Sequence, residues 1–382
     1  MNRAAGDRVE KPHFDTASML AEIRAWVEIE SPTTLPKAVN RMVDHVEQAY
    51  RGTGARLERV SGRDGFGDHL IARSSWGVGN RGILVLSHLD TVHPMGFIDR
   101  LPFKVEGDIA YGPGIYDMKG GAFLAFHAFR EMARLGTGGA LSVTQLYVSD
   151  EEVGSPTSRE IIEREARNAK YVLVTEPARD GGKVVTARKG TARFEVCVKG
   201  QAAHSGSRHQ DGRSAVRELA RQVLAIEGFT DYARGITTNV GVISGGTRAN
   251  VVPEEAYAEV DMRVTSAAQA DEMVARMLSL RAYENGVTVT VTGGMNRPPY
   301  ERDEGIVALF DHARILAAEI GYTLEDLKTG GGSDGNFTAA IAPTLDGLGV
   351  DGRGGHTPYE QINVSSIAPR SKLFYRLFET LR

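Results

Sequence analysis

Histidines and acidic residues recur where predicted strands end. His88 and Asp90 follow the apolar run Ile83–Leu86, and Glu151 follows a run that ends at Val148. Two imidazoles and three carboxylates are candidate metal ligands: His88, Asp117, Glu152, Glu176 and His356. Two divalent ions about 3.5–4 Å apart need one histidine and one carboxylate each, plus one bridging carboxylate. Nitrogen and oxygen ligands without thiolate suit zinc, and also cobalt or manganese.

Two neighbouring carboxylates gain roles from such a site. Glu151 could take a proton from the attacking water and pass it to the leaving nitrogen. Asp90 could accept the free ring N–H of His88 and fix its tautomer. Each residue also has an ordinary structural interpretation, because acidic residues commonly start helices and end strands. The set favours chemistry because all its members are predicted at one edge of one sheet. Other histidines, such as His93, have no partner at a ligand-like spacing.

The elements that would position these residues alternate between strand and helix. Strands are predicted at 57–60, 69–72, 83–87, 141–148 and 171–175, helices at 16–30, 36–50, 122–135 and 158–166, and loops at 99–105 and 111–114. This alternation predicts a mixed, mostly parallel sheet covered by helices. Parallel strands bring their carboxyl ends to one edge, where ligands collect.

The order of predicted strands and helices changes in the middle of the chain. After an opening hairpin, the predicted order is β-α-β-β-α-β, with helices at 211–227 and 267–284, which is typical of a ferredoxin-like α+β domain. We therefore predict two domains. Residues 1–182 and 295–382 form the α/β catalytic domain, and residues 183–294 form an inserted domain.

The bulk composition excludes several protein classes. The chain has 382 residues with 45 basic and 49 acidic side chains, so its mild charge indicates neither a nucleic-acid nor a membrane partner. Its one cysteine excludes an intrachain disulfide framework and a thiolate metal cluster. The first 15 residues contain no apolar run, so neither a signal peptide nor an anchor is expected, and a cytoplasmic location is predicted.

Several motifs carry a resemblance to a known family. They are Ser87-His88-Leu89-Asp90, Gly114 to Gly121, Ser149-Asp150-Glu151-Glu152-Val153-Gly154-Ser155, Thr175-Glu176-Pro177 and Gly355-His356. In this order they resemble the M20 family of zinc peptidases and amidohydrolases, and within it the glutamate carboxypeptidase (carboxypeptidase G2-like) group. The resemblance covers nearly the whole chain after about residue 15.

The resemblance implies a role for each residue of the site. His88 and Glu176 would hold one zinc, Glu152 and His356 the other, and Asp117 would bridge the two, followed by a cis peptide bond to Met118. Glu151 would be the general base, and Asp90 would support His88.

The inserted domain resembles the family's lid and dimerisation domain. The resemblance implies that His204 stabilises the oxyanion in the partner subunit of a homodimer, and that Asn250, Arg263 and Arg297 contact substrate. An arginine fork suits a free carboxylate. Gly332 and Ser333, in a glycine-rich loop, could offer backbone N–H groups to the same carboxylate, although a plain flexible loop is the alternative.

The function expected is hydrolysis, with two zinc ions, of a peptide or amide bond next to a free α-carboxylate, with a C-terminal glutamate as the first substrate. The alternative within the family is an N-acyl amino acid deacylase, of the acetylornithine deacetylase or succinyl-diaminopimelate desuccinylase type. A non-catalytic metal-dependent binding protein is a third interpretation, which the presence of Glu151 disfavours.

Overall fold

The computed structural model describes residues 10–77 and 81–382, so much of the N-terminal segment considered for targeting lies outside the described residues. The helices are α1 (Thr16–Val27), α2 (Pro36–Ala49), α3 (Gly120–Leu135), α4 (Arg159–Arg167), α5 (Ala215–Glu227), α6 (Ala267–Leu278), α7 (Glu304–Ile320), α8 (Gly335–Thr338) and α9 (Ile367–Thr380). None of these helices is long and apolar enough to cross a bilayer.

The strands are β1 (Arg56–Val60), β2 (His69–Arg73), β3 (Gly82–His88), β4 (Lys104–Glu106), β5 (Ile109–Tyr111), β6 (Val143–Val148), β7 (Ala169–Val174), β8 (Val184–Arg188), β9 (Gly190–Lys199), β10 (Ala203–His204), β11 (Thr237–Gly245), β12 (Val251–Val252), β13 (Glu255–Val264), β14 (Thr288–Arg297), β15 (Asp326–Thr329), β16 (Thr344–Leu345), β17 (Gly352–Arg353) and β18 (Gln361–Asn363).

The first compact unit is built on a sheet of order β1-β2-β6-β3-β7-β16. The pairs β6–β3, β3–β7 and β7–β16 are parallel, whereas β1 and β2 are antiparallel. The apolar run of β3 serves two cores, because alternate side chains point to opposite faces. Val85 packs into the core shared by α1, α3 and α9, and Leu86 packs into the core under α4 and α8. The predicted fold class is therefore confirmed.

The second unit has a four-stranded sheet of order β11-β13-β9-β14, the order of a ferredoxin-like domain, with helices α5 and α6. Burial alternates along β9, so the even-numbered residues from Ala192 to Val198 face the core and the odd-numbered ones face away from it. One face of this sheet therefore forms the core with the helices, and the other carries polar side chains.

The compact units divide at Thr186/Ala187 and at Glu301/Arg302, and residues 329–332 also belong to the second unit. The domain bounds predicted from sequence, 182/183 and 294/295, lie four and seven residues before these positions. That the inserted segment is a functional lid stays a prediction.

Several sequence predictions of local structure were wrong. The opening hairpin predicted for the inserted domain does not form, because β8 pairs with β15 and not with β9. The loops predicted at 99–105 and 111–114 overlap β4 and β5, which form a hairpin around Gly107, whose φ is 61°. Helix α5 begins at Ala215, since the Ser214 side chain caps it by accepting a hydrogen bond from Arg217 N–H. Helix α6 ends at Leu278 rather than at 284.

Candidate metal centre

The predicted strand-end residues of the first unit do converge. His88 is the last residue of β3, and its parallel neighbour β7 ends two residues before Glu176. The His88 side chain is buried, with Nε2 3.8 Å from Glu176 Oε1 and 3.2 Å from Asp117 Oδ1. The parallel pairing of two strands thus places an imidazole and a carboxylate side by side.

Asp117 lies between two histidines. Its Oδ1 faces His88, and its Oδ2 lies 3.3 Å from His356 Nε2. The same His356 nitrogen is 3.1 Å from Glu152 Oε2. The peptide between Asp117 and Met118 is cis, as the resemblance implied. Each oxygen of one carboxylate therefore faces a different histidine, and a glutamate lies near each of those histidines.

The buried side chains of this cluster shift one another's pKa values. Burial raises the pKa of Glu152 to about 8 against a hydrogen bond from His356, and the charge of Asp117 adds to the increase. Hydrogen bonds to Asp117 and Glu152 raise the pKa of His356 to about 11. Burial opposes a charge on His88, yet hydrogen bonds to Asp117 and Asp90 raise its pKa well above the usual value. Protonated imidazoles or bound cations would each balance the negative charge gathered among these carboxylates.

The donor set fits divalent cations. Glu152 Oε1 is buried and has no hydrogen-bond partner among the described residues, which is costly for a carboxylate oxygen without a cation. Ligand atoms of His88, Asp117 and Glu152 lie within 4.8 Å of one another, and so do those of His88, Glu151 and Glu176. Such a set of imidazole and carboxylate donors suits zinc and other first-row divalent ions.

Asp90 contacts more than sequence reasoning expected. His88 Nδ1 lies 2.9 Å from the backbone carbonyl oxygen of Asp90 and 3.5 Å from its Oδ1, so the carbonyl is the better placed acceptor. The carboxylate accepts hydrogen bonds from Thr33 Oγ1 at 2.7 Å and from the backbone N–H groups of Glu151 and Glu152 at 3.3 Å. Asp90 therefore orients the segment that carries the candidate base.

Asp150, the residue directly before the candidate base Glu151, also anchors this segment and is fully buried. Its carboxylate accepts four hydrogen bonds, two from Thr157 and two from Ser158, with distances from 2.5 to 3.2 Å. In the sequence, Asp150 stands out only as part of an acidic run. Its role was missed because its partners are small hydroxyl residues and backbone groups several positions away.

In the second unit, His204 and Asn250 come together. Strand β10 pairs with β12, and Ser205 N–H donates to the backbone oxygen of Asn250 at 3.0 Å. The N–H groups of Gly206 and Ser207 both donate to His204 Nδ1 at 3.2 Å. Because Nδ1 is an acceptor, a neutral His204 carries its proton on Nε2. That tautomer is the one able to donate to an anion.

Arg263 and Arg297 share one face of the second unit's sheet. Both pair in register with Thr191 of β9, Arg263 from β13 and Arg297 from β14, on the face away from the helices. Arg263 also binds Asp261 through Nε and Nη2 at 2.7 and 2.9 Å. Arg297 is buried beside Gly332, where an added Cβ would lie 2.9 Å from the arginine Cδ.

Ser333, in the first unit, is already engaged. Its backbone N–H donates to Asn336 Oδ1 at 2.9 Å, and its hydroxyl donates to Asp346 Oδ2 at 2.5 Å. The residue is fully buried. Offering this N–H to a substrate would require the Asn336 contact to break, and the predicted role of Ser333 stays a prediction.

Glu360 and His93 were also missed. The fully buried carboxylate of Glu360 accepts hydrogen bonds from the N–H groups of Gly114, Tyr116 and Asp117, each at 2.9 Å, and lies 2.7 Å from His93 Nε2. No spacing rule predicts these contacts, because three of the four partners are backbone groups more than 240 positions away.

The sequence matches known proteins over most of its length. Residues 84–380 match the peptidase family M20/M25/M40. Carboxypeptidase G2 of Pseudomonas sp. (strain RS-16) is 34% identical over 95% of this chain and 89% of its own. A succinyl-diaminopimelate desuccinylase of Bordetella parapertussis is 30% identical over 85% of this chain and 90% of its own.

Solved structures share the fold. Aminopeptidase PepT from Bacillus cereus has a TM-score of 0.76 at 23% identity, covering 96% of this chain and 98% of its own. The M20 family metallo-carboxypeptidase Sso-CP2 from Sulfolobus solfataricus also has a TM-score of 0.76, at 16% identity, covering 95% of this chain and 99% of its own.

Proposed function

Because the chain belongs to the peptidase family M20/M25/M40, we propose that it is a two-metal hydrolase that cleaves an amide or peptide bond next to a free α-carboxylate, with glutamate as the amino acid released. Its family membership makes it an enzyme, a metallopeptidase-type hydrolase. The number of ions and the substrate are the parts that are proposed.

The position of Asp117 carries the proposal of two ions. One of its oxygens faces His88, near Glu176, and the other faces His356, which lies near Glu152. His88 and Glu176 would hold one ion, His356 and Glu152 would hold the other, and Asp117 would offer one oxygen to each. Zinc is the ion we favour, and cobalt or manganese suit the same donors.

A pair of divalent cations would polarise the scissile carbonyl and lower the pKa of the attacking water toward neutrality. Glu151 takes the proton of that water and delivers it to the leaving amine, while Asp90 holds the Glu151 backbone. His204, acting in the partner subunit's site of the homodimer proposed below, would offer its Nε2 N–H to the oxyanion.

The substrate proposal rests on charge in the second unit. Arg263 and Arg297 lie on one sheet face, flanking Thr191, so their fixed positive charges suit an acidic substrate. Arg263 donates to Asp261 from Nε and Nη2, so a substrate carboxylate would have to share or replace that partner. Asn250, close to His204, is a third contact we propose.

The second candidate is an N-acyl amino acid deacylase. The observation that favours it is the 30% identity with a succinyl-diaminopimelate desuccinylase over 85% of this chain. Both reactions hydrolyse an amide, so they would use the same metal centre and the same base. In both reactions the released amino acid carries a free α-carboxylate, so the two candidates differ in the side chain of that amino acid and in the acyl group that is removed.

A substrate panel distinguishes the two candidates. The zinc-loaded protein is assayed with N-acyl and peptidyl glutamates, with matched aspartates and alanines, and with N-succinyl and N-acetyl diamino acids, each with and without a chelator. Preferred, chelator-sensitive release of glutamate supports the first proposal. Preferred cleavage of N-succinyl diamino acids supports the second, and no turnover of any amide with zinc present contradicts both.

We also propose a homodimer formed through the second unit. Strand β11 is a sheet edge, and Val242 and Ile243 on it are exposed, as is Leu224 on the adjacent α5. An exposed apolar edge strand is a template for pairing with another chain. Analytical ultracentrifugation tests this proposal, since a monomer at micromolar concentration would contradict it.

A further inference from the structure

The carboxylate of Glu360 is the common hydrogen-bond acceptor for the turn that contains Asp117. Its Oε1 accepts hydrogen bonds from the N–H groups of Tyr116 and Asp117, and its Oε2 accepts one from Gly114, all at 2.9 Å. Glu360 is fully buried. A carboxylate that accepts several backbone hydrogen bonds fixes the conformation of the segment that donates them.

Glu360 also belongs to the segment that carries His356. It lies four residues after His356 and directly before β18, which pairs with β5 ahead of the Asp117 turn. His356 itself contacts Asp117 Oδ2 at 3.3 Å. One buried side chain therefore ties together the two chain segments from which these proposed ligands come.

His93 holds Glu360 from the other side. Because an ionised carboxylate only accepts hydrogen bonds, His93 Nε2 is the donor in its 2.7 Å contact with Oε2. The imidazole is stacked on Phe97, with ring centroids 4.3 Å apart and an interplanar angle of 13°. Packing thus fixes the imidazole that in turn fixes the Glu360 rotamer.

We propose that Glu360 is a positioning residue for the metal centre: it holds the backbone of Asp117 so that each carboxylate oxygen faces one histidine. This inference rests on the proposed two-metal function. Glu360 acts through the Asp117 main chain, since it binds the N–H group of that residue and not its carboxylate. Its loss should weaken zinc binding beyond any general loss of stability.

The test compares Glu360→Gln and Glu360→Ala with the wild type. Glutamine keeps one oxygen for the Tyr116 and Asp117 N–H groups but loses the acceptor for Gly114 and His93, whereas alanine loses all three backbone bonds and the His93 contact. Removing a group that orients a metal ligand typically weakens metal affinity by about 10- to 100-fold. We expect the glutamine variant near the lower end of that range and the alanine variant near the upper end.

Glu165→Gln and Glu165→Ala are matched controls. Glu165 is also a buried, hydrogen-bonded glutamate, but its partners are Arg73 at 2.6 and 3.0 Å and Arg164. Zinc affinity is measured by competition with a chromophoric chelator, together with zinc per subunit, kcat, and the Tm of the zinc-free protein. The controls should lower Tm while zinc affinity stays at the wild-type value.

Wild-type zinc affinity in both Glu360 variants would overturn the proposal. The proposal would also be overturned if Glu165 variants lost as much zinc affinity as Glu360 variants whose zinc-free proteins have the same Tm. The loss of affinity would then reflect reduced stability alone. If the alanine variant fails to fold, the glutamine variant decides between these outcomes. Absence of zinc binding by the wild type would instead refute the proposed function, and this inference with it.

Discussion

Replacing Glu151 by glutamine should separate proton transfer from metal binding. The substitution keeps the length of the side chain and removes its charge and its basic oxygen. The Glu151 backbone N–H is bound to Asp90 Oδ1 at 3.3 Å, and Asp90 also binds the N–H of Glu152 at 3.3 Å. These contacts involve only the backbone, so the glutamine variant should keep the position of the candidate ligand Glu152.

The size of the expected effect follows from the role of a general base. Proton transfer by a positioned side chain contributes about 100- to 10,000-fold to a rate. At about 1.4 kcal/mol for each factor of ten, that corresponds to about 3–5.5 kcal/mol of transition-state stabilisation. We expect kcat to fall by such a factor while KM and zinc content stay near their wild-type values.

The competing role of Glu151 is direct metal ligation, because one of its oxygens lies within 4.8 Å of ligand atoms of His88 and Glu176. The assay therefore pairs kcat on the preferred amide with zinc per subunit, by elemental analysis, and with chelator competition. Glu160→Gln, at a highly exposed carboxylate on α4, is the control and should match the wild type. Full activity of Glu151→Gln refutes the base assignment, and loss of zinc refutes its separation from the ligands.

Three further predictions concern the scaffold. Asp150→Asn removes a charged acceptor of four hydrogen bonds, so the free energy of unfolding in urea should fall by about 1.5–3 kcal/mol; an unchanged midpoint would contradict this. Burial would raise the pKa of Glu165, but hydrogen bonds from Arg73 outweigh it and lower that pKa, so the pair stabilises the fold above the ordinary glutamate pKa and this contribution is lost as pH falls below about 4.5. Arg73→Gln should therefore flatten the acidic part of the Tm–pH curve. A curve identical to that of the wild type would contradict this role of the pair. Ile243→Asp on the β11 edge should convert the proposed dimer to a monomer in sedimentation velocity. The control Tyr257→Phe leaves the apolar edge intact and should stay dimeric.

The strand-end residues were predictable from sequence for a physical reason. Parallel strands share an edge, so His88 and Glu176 had to meet once β3 and β7 were recognised as buried strands. The resemblance to a family supplied what spacing does not, since His356 follows a loop with no strong periodic signal.

Backbone-mediated contacts were not predictable. Asp90 binds two N–H groups of the Glu151 segment, and Glu360 binds three N–H groups of the Asp117 turn. Backbone donors are identical in every non-proline residue, so no residue pattern reveals them. The β4–β5 hairpin was missed because its strands are only three residues long and carry little alternation.

The identity of the substrate contacts depends on the second unit. Its fold explains why Arg263 and Arg297 lie on one face, because both pair with Thr191 across β9. The fold does not by itself assign a ligand to that face, which is why Asn250, Arg263, Arg297 and Gly332 stay predicted contacts.

The proposed function depends on two ions that share Asp117. Anomalous diffraction at the zinc absorption edge, on crystals of the zinc-loaded protein, tests it most directly. We expect two anomalous peaks on either side of Asp117, one beside His88 and Glu176 and the other beside His356 and Glu152. A single peak at full zinc loading, or peaks away from Asp117, would contradict it.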